Sequence, residues 1–156
     1  LSQYGFNNIG NSDIVHQPLI KCDRVFAYTS SGILNAYSAE NGRSLWSRKL
    51  YINQPMKAAG EYIYAINALG QLLCITSADG KVGWVRQLDA SVKWSLLAIG
   101  GNNIILGTSS GDLRFFDLKT GADKSTMNFN LPILGNPIIY GGVLHVMVGG
   151  DLIILR

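Results

Sequence analysis

The sequence predicts an all-β fold, a β-propeller segment of about four four-stranded antiparallel blades whose last blade lacks its outer strand. Three observations support this fold class. A glycine-marked repeat of about 40 residues runs through the chain, hairpin signals recur at fixed places within it, and no stretch shows a sustained helical period. Gly or Pro interrupts every long segment.

The repeat is marked by two glycines that stand ten residues apart. The first glycine of each copy follows an alternating apolar segment, and successive copies are spaced by 38, 41 and 39 residues: Gly32, Gly70, Gly111 and Gly150. The second glycine is present in three copies: Gly42, Gly80 and Gly121. Asn-Gly and Asp-Gly precede the next segment in the first two copies, and both pairs favour tight hairpins. Trp46 and Trp84 stand four residues later, where the third copy has Ser125.

Each repeat needs its neighbours because a single four-stranded sheet has two faces and cannot bury both alone. Apolar runs such as 25–28 and 104–106 supply side chains to both faces of a sheet, as an inner layer of a stack requires. The terminal repeats have no polar cap, so we expect exposed blade faces at both ends of the segment.

The copies divide the chain into five successive parts. These are an inter-blade loop (1–17), three blades (18–54, 55–94 and 95–135) and an incomplete final blade (136–156). The loop is rich in Gly, Asn and Ser, which is a typical loop composition. The final copy ends at its third strand, and a long unpaired edge is a liability. We therefore expect the missing strand and further blades to belong to residues outside this sequence.

Composition excludes several function classes. Hydrophobic residues make up 47% and charged residues 15% of the chain, as in a globular protein, and no apolar run approaches the ~20 residues of a membrane-spanning helix. The net charge of +3 is scattered, whereas nucleic-acid binding usually shows a concentrated basic stripe. Cys22 and Cys74 occupy non-equivalent repeat positions, so we expect two unpaired, buried thiols.

One stretch has the spacing of a hydrolase motif. Residues 107–111 read Gly-Thr-Ser-Ser-Gly, but a nucleophile elbow needs a helix after the serine, and a strand-like segment follows here. His145 lies in a strand without a partner at ligand spacing, and His16 lies in the loop beside Asp13. We expect packing for His145 and a local hydrogen bond for His16. The sequence thus predicts no catalytic, cofactor or metal site.

The three tryptophans have different expected roles. Large aromatic side chains bury much area, so we expect Trp46 and Trp84 to pack between neighbouring blades. Trp94 lies off the repeat register, in a connection between blades. Burial under that loop and exposure at a partner interface are both compatible with its position, since exposed aromatics are enriched at interfaces.

The residues 32–46, Gly-Ile-Leu-Asn-Ala-Tyr through Gly42 to Trp46, resemble the pyrroloquinoline-quinone-type, tryptophan-docking propeller repeat. Within that group the order of features is similar to the BamB family of outer-membrane assembly factors. The short last strand at 151–156 and the stretch from Ser12-Asp13 to Pro18 carry this likeness, although Val15 stands where the family has a second acidic residue.

The resemblance implies a periplasmic lipoprotein with eight blades, of which this chain is the C-terminal half. It also implies a role at the periplasmic face of the bacterial outer membrane, with a lipid anchor outside this sequence. The implied partners are the periplasmic POTRA domains of BamA, other subunits of the assembly machinery and unfolded outer-membrane proteins. Asp13 is the position that carries over as a partner contact, and Trp94 is a second candidate.

Two other functions use the same repeat. One is the ligand-sensing propeller domain of a receptor or kinase, and the other is a degenerate quinone-dependent dehydrogenase. The enzymes that the repeat resembles use an adjacent pair of cysteines and a calcium site rich in oxygen ligands. Cys22 and Cys74 are 52 residues apart without a carboxylate cluster beside either. The sequence therefore favours a non-catalytic, protein-binding scaffold.

Overall fold

The computed structural model describes Ile14 and residues 16–156, and Asp13, Val15 and most of the 1–17 loop lie outside this part. The described residues contain strands and turns without a helix, so none of their segments is a helix that could span a membrane. The all-β prediction is confirmed.

The strands form four antiparallel sheets in chain order. Sheet 1 contains β1 (Leu19–Lys21), β2 (Arg24–Tyr28), β3 (Ile33–Ser38) and β4 (Ser44–Lys49). Sheet 2 contains β5 (Lys57–Ala59), β6 (Tyr62–Ile66), β7 (Gln71–Thr76) and β8 (Val82–Gln87). Sheet 3 contains β9 (Ala98–Gly100), β10 (Asn103–Gly107), β11 (Asp112–Asp117) and β12 (Asp123–Asn128). Sheet 4 contains β13 (Ile138–Tyr140), β14 (Val143–Val148) and β15 (Asp151–Leu155).

Each sheet is a simple meander, as expected for a propeller blade. Neighbouring strands follow one another in the sequence, and the first strands of successive sheets adjoin from β1 through β5 and β9 to β13. Sheet 4 has three strands in the described part of the chain, which agrees with the expected lack of an outer strand. The arrangement is open, with sheet 1 at one end and sheet 4 at the other.

The core consists of three apolar layers, each between two successive sheets. Phe26 and Leu34 of sheet 1 pack with Ile63 and Ile75 of sheet 2. The opposite side of sheet 2 packs on sheet 3, and the opposite side of sheet 3 packs on sheet 4. Strands β6 and β7 are therefore buried on both faces, which explains their nearly continuous apolar sequences.

A recurring backbone bridge ties each connection to the sheet that follows it. Ile52 pairs with Asn67, Trp94 with Thr108, and Ile133 with Val148. Ile14 pairs with Thr29 in the same way. Every connection thus reaches the end of the second strand in the next sheet.

Candidate functional site

The repeated tryptophans lie at the contacts between sheets. A β-bulge precedes Trp46 on β4, and the register places Trp46 opposite Ala36, on the side of sheet 1 that faces sheet 2. Trp84 stands opposite Cys74 in the same arrangement one sheet later. The bulge turns each indole toward the next sheet.

Each indole packs against the second glycine of the next repeat. A Cβ on Gly80 would lie 2.7 Å from Cε3 of Trp46, and a Cβ on Gly121 would lie 2.6 Å from Cε3 of Trp84. Both glycines also have left-handed backbones, with φ of 71° and 70°. Any larger residue at these two positions would therefore meet both backbone strain and a steric clash. The third sheet has Ser125 at the tryptophan position, opposite Phe115 on an exposed strand.

The first-turn glycines approach the connections between sheets. A Cβ on Gly32 would lie 2.5 Å from Cδ1 of Tyr51, and a Cβ on Gly111 would lie 2.6 Å from the carbonyl oxygen of Leu131. A Cβ on Gly70 would lie 3.6 Å from Nε2 of Gln87, which is an ordinary contact. A Cβ on Gly150 would have no atom within 4 Å, and the same holds for the second-turn glycine Gly42.

Arginine side chains add polar contacts between sheets, and the sequence analysis missed them. The Ser77 carbonyl accepts hydrogen bonds from Trp46 Nε1 (3.1 Å) and from Arg24 Nη1 (2.7 Å). Arg48 donates to the carbonyl of Asp79 at 2.7 Å. The sequence contains a pattern that could have indicated a shared role for these arginines, because Arg48 and Arg86 each stand two residues after the repeated tryptophan.

The corresponding arginine of sheet 2 joins an ion-pair cluster on sheet 3. Arg86 and Arg114 both pair with the carboxylate of Asp123. The Arg114 guanidinium also lies over the rings of Trp94 and Phe116, at 5.7 and 5.4 Å from their centroids. Cation–π contacts of this kind hold a charged group against an aromatic surface.

Trp94 is half-buried in this cluster. Its Nε1 donates to the carbonyl of Asp89 at 2.8 Å, and its ring centroid is 6.3 Å from that of Phe116. The backbone bridge from Trp94 to Thr108 fixes the connection beneath it. Packing under the loop therefore buries part of the Trp94 ring, and the rest of the ring is open to solvent. A partner-binding role for Trp94 stays a prediction.

The hairpin turns of sheets 1 and 2 line an open cleft of about 300 Å³. Its walls include Cys22 and Arg24 from sheet 1 and Glu61 and Tyr62 from sheet 2. The prediction that both thiols are buried is wrong for Cys22, which is exposed, and right for Cys74. Cys22 occupies the solvent-facing turn between β1 and β2, with φ of 51°, whereas Cys74 lies in the doubly covered strand β7.

The hydrolase-like stretch forms a hairpin. Ser109 lies in the turn between β10 and β11, and its Oγ accepts a hydrogen bond from the Lys93 amide. A strand follows the serine, so the context of a nucleophile elbow is missing. His145 is half-buried on β14 opposite Ile138, and His16 is exposed near the ring of Tyr28. No group of three or more potential metal ligands occurs among the residues that the structure describes.

Comparison with known proteins gives consistent matches. The family model described as outer membrane protein assembly factor BamB matches residues 3–86. The BamB of Moranella endobia (strain PCIT) is 27% identical over 171 residues, and the match covers 98% of this chain and 42% of that protein. The chain thus spans less than half the length of this curated relative.

Solved structures show the same fold. The crystal structure of BamB from Moraxella catarrhalis has a TM-score of 0.68 at 19% identity, covering 85% of this chain and 46% of that one. The computationally designed Ika4 protein has a TM-score of 0.71 at 12% identity, covering 94% of this chain and 92% of that one. At these identities the two likenesses concern the fold alone.

Proposed function

The chain belongs to the family of the outer membrane protein assembly factor BamB, and from this premise we propose that it is a non-catalytic protein-binding scaffold. Its role would be to aid the assembly of outer-membrane proteins at the periplasmic face of the bacterial outer membrane. The observation that carries the proposal is the family match over residues 3–86, together with curated BamB relatives that align over most of this chain.

We propose the periplasmic POTRA domains of BamA as the direct partner, with other assembly subunits and unfolded outer-membrane proteins as further contacts. Recognition would use loop side chains and the edge of a sheet. Strand β15 is an edge strand of sheet 4 in the described residues, and such an edge offers backbone groups to an added strand.

Trp94 and Ile14, the residue after Asp13 in the sequence, form equivalent backbone bridges. Asp13 lies outside the described residues, but it directly precedes Ile14, which pairs with Thr29. Trp94 pairs with Thr108 at the same position of the third repeat. Both connections therefore reach the same end of their sheets. A partner that contacts this end would meet the partly open ring of Trp94 and the exposed Ile14, which follows Asp13 in the sequence.

The positions of the two cysteines argue against a quinone-dependent enzyme. The resemblance to such enzymes would require an adjacent pair of thiols, but Cys22 lies in an exposed turn of sheet 1 and Cys74 in the buried part of sheet 2. The proposal is therefore a binding function without a chemical step.

The experiment is calorimetric titration of the purified chain with the BamA periplasmic domains. We expect saturable binding that Asp13→Arg weakens by about tenfold or more, because a charge reversal at a contact opposes the partner. Asp23→Arg is the matched control, since Asp23 lies in the β1–β2 turn at the other end of sheet 1. Unchanged affinity for Asp13→Arg removes that contact, and no binding by the unmodified chain removes BamA as the partner.

A further inference from the structure

The repeat allows equivalent turns of different sheets to be compared residue by residue. The turns between the second and third strands of sheets 1, 2 and 3 share one closing hydrogen bond, in which a glycine amide donates to the carbonyl three residues earlier: Gly32 to Thr29, Gly70 to Asn67, and Gly111 to Thr108. The turns 29–32, 67–70 and 108–111 are therefore equivalent. A residue that differs between them is not required by the turn itself.

Leu69 differs from the residues at its position in the other two turns. Ser31 and Ser110 stand there, and each hydroxyl lies within hydrogen-bond distance of the threonine hydroxyl of its own turn, at 2.8 and 2.9 Å. In sheet 2 the side chain of Asn67 closes the turn instead, because its Oδ1 accepts from the amides of Leu69 and Gln71. The Leu69 side chain takes no part in these bonds and is 66% exposed. The turn therefore does not require a leucine.

Tyr51 is a second exception, in the connection from sheet 1 to sheet 2. Three connections begin alike, with an amide that donates to the first-turn glycine of the preceding sheet: Leu50, Leu88 and Phe129. The residues that follow these are Tyr51, Asp89 and Asn130. Tyr51 and Asn130 have left-handed backbones, with φ of 54° and 56°, which asparagine tolerates better than tyrosine. Although part of its ring covers Gly32, Tyr51 is 45% exposed.

The two exceptions meet at one place in the fold. The amide of Ala68, in the turn that contains Leu69, donates to the carbonyl of Tyr51 at 2.8 Å. The Nζ of Lys49 lies 5.3 Å from the centroid of the Tyr51 ring, and Lys49 forms no ion pair among the residues that the structure describes. We call Lys49, Tyr51 and Leu69 the turn surface. It combines exposed apolar side chains, an unmatched positive charge and a strained backbone, and strained residues cluster at functional sites.

We propose that the turn surface binds a protein segment in which an apolar side chain lies beside a carboxylate. The apolar side chain packs on Tyr51 and Leu69, and the carboxylate pairs with Lys49. Charge complementarity favours an acidic partner segment, because the positive charge on the turn surface has no carboxylate beside it in the described part of the chain.

The turn surface adjoins the place where the proposed function puts its partner. Tyr51 covers Gly32, and Thr29 of the same turn pairs with Ile14, the residue after Asp13 in the sequence. The inference therefore rests on the proposed function and assigns a contact surface, with its chemistry, to the same partner.

Calorimetric titration of the purified chain with the BamA periplasmic domains tests the surface. Leu69→Ser and Tyr51→Asn insert side chains that the equivalent positions carry, so both variants keep the backbone of the turn and of the connection. Each is expected to raise the Kd by about tenfold, as truncation of a central contact residue does. Val85→Ser is the control, because Val85 is 51% exposed within β8 of sheet 2, away from the turns, and it should leave the Kd unchanged.

A pair of charged variants tests the acidic character of the partner segment. Leu69→Glu and Leu69→Lys both remove the apolar side chain, but only the glutamate repels a carboxylate on the partner. Leu69→Glu should therefore bind more weakly than Leu69→Lys, and the difference in Kd should shrink as salt is added. Equal affinities, or tighter binding by Leu69→Glu, would overturn the acidic partner segment.

The titrations separate this inference from the proposed function. If the unmodified chain binds the BamA domains and Leu69→Ser and Tyr51→Asn bind equally well, the turn surface is not a contact, whereas the proposed function stands. If the unmodified chain does not bind, the partner in the proposed function is wrong and this inference falls with it. Circular dichroism checks that each variant keeps its strands. The Leu69 variants decide the result if Tyr51→Asn unfolds, because the Leu69 side chain is exposed and makes no hydrogen bond in its turn.

Discussion

The indole of Trp46 lies directly against the backbone of Gly80 in the next sheet, so that ring and turn leave no room for a side chain. Trp84 and Gly121 repeat this contact one sheet later. The two residues of each pair are therefore complementary parts of one joint between blades. This joint explains why tryptophan and the second glycine recur together in the sequence.

The two joints differ in their hydrogen bonds, which gives a first prediction. Trp46 Nε1 donates to the Ser77 carbonyl, whereas the buried Nε1 of Trp84 has no partner in the described part of the chain. The equivalent carbonyl, that of Leu118, instead accepts from the hydroxyl of Tyr64 at 3.1 Å. Trp46→Phe should therefore reduce the free energy of unfolding by about 1 kcal/mol more than Trp84→Phe.

Urea denaturation of the two variants measures this difference. Both substitutions remove a similar volume from a similar joint, so each serves as the control for the other. An equal or larger loss for Trp84→Phe would show that the hydrogen bond to Ser77 does not contribute.

The glycine and tryptophan spacing was sufficient to predict the sheets, because period and turn chemistry depend on residues close in the chain. The contacts of Arg24 and Arg48 could not be predicted in this way, since they end on backbone carbonyls of another sheet, and any residue can supply a carbonyl. The sequence contained a signal for the exposure of Cys22, because its position has glycine in the other three copies, at Gly60, Gly101 and Gly141, as expected of a tight turn.

The two cysteines should differ in reactivity. Cys22 is exposed, whereas Cys74 is buried and its burial raises the pKa of the thiol. A thiol must be accessible and deprotonated to react quickly with a disulfide reagent. We expect one fast-reacting thiol in the folded chain at pH 8 and a second only after denaturant is added. Cys22→Ser should abolish the fast phase, and a fast phase that survives this substitution would contradict the assigned burial.

The carboxyl group of Asp79 should make the free energy of unfolding depend on pH in the acid range. Hydrogen bonds from Lys81 and Thr76 hold the pKa of the Asp79 carboxyl well below its usual range. A lowered pKa in the folded state stabilises the protein above the unfolded pKa of about 3.9, and this contribution is lost as the pH falls toward the folded value. The difference in free energy of unfolding between the unmodified chain and Asp79→Asn should therefore be constant near neutral pH and shrink below about pH 4.

Denaturation curves from pH 7 to pH 2.5 measure this difference. Thr76→Val is a second variant that removes one donor to the carboxylate, and it should change the acid dependence in the same direction. The difference in free energy of unfolding between Asp79→Asn and the unmodified chain could also be as large at pH 2.5 as at pH 7. That result would rule out the carboxylate as the source of the difference.

The central claim is that successive sheets are joined where an indole meets a glycine, and two alanine substitutions test it most directly. Gly42 and Gly80 have the same φ of 71°, so Ala should cost about 1–2 kcal/mol of backbone strain at either position. Of these two glycines, only Gly80 packs against an indole, that of Trp46. Overpacking against this ring should therefore lower the free energy of unfolding of Gly80→Ala by about 1–3 kcal/mol more. Urea unfolding should show this larger loss for Gly80→Ala, and equal losses for the two variants would contradict the account.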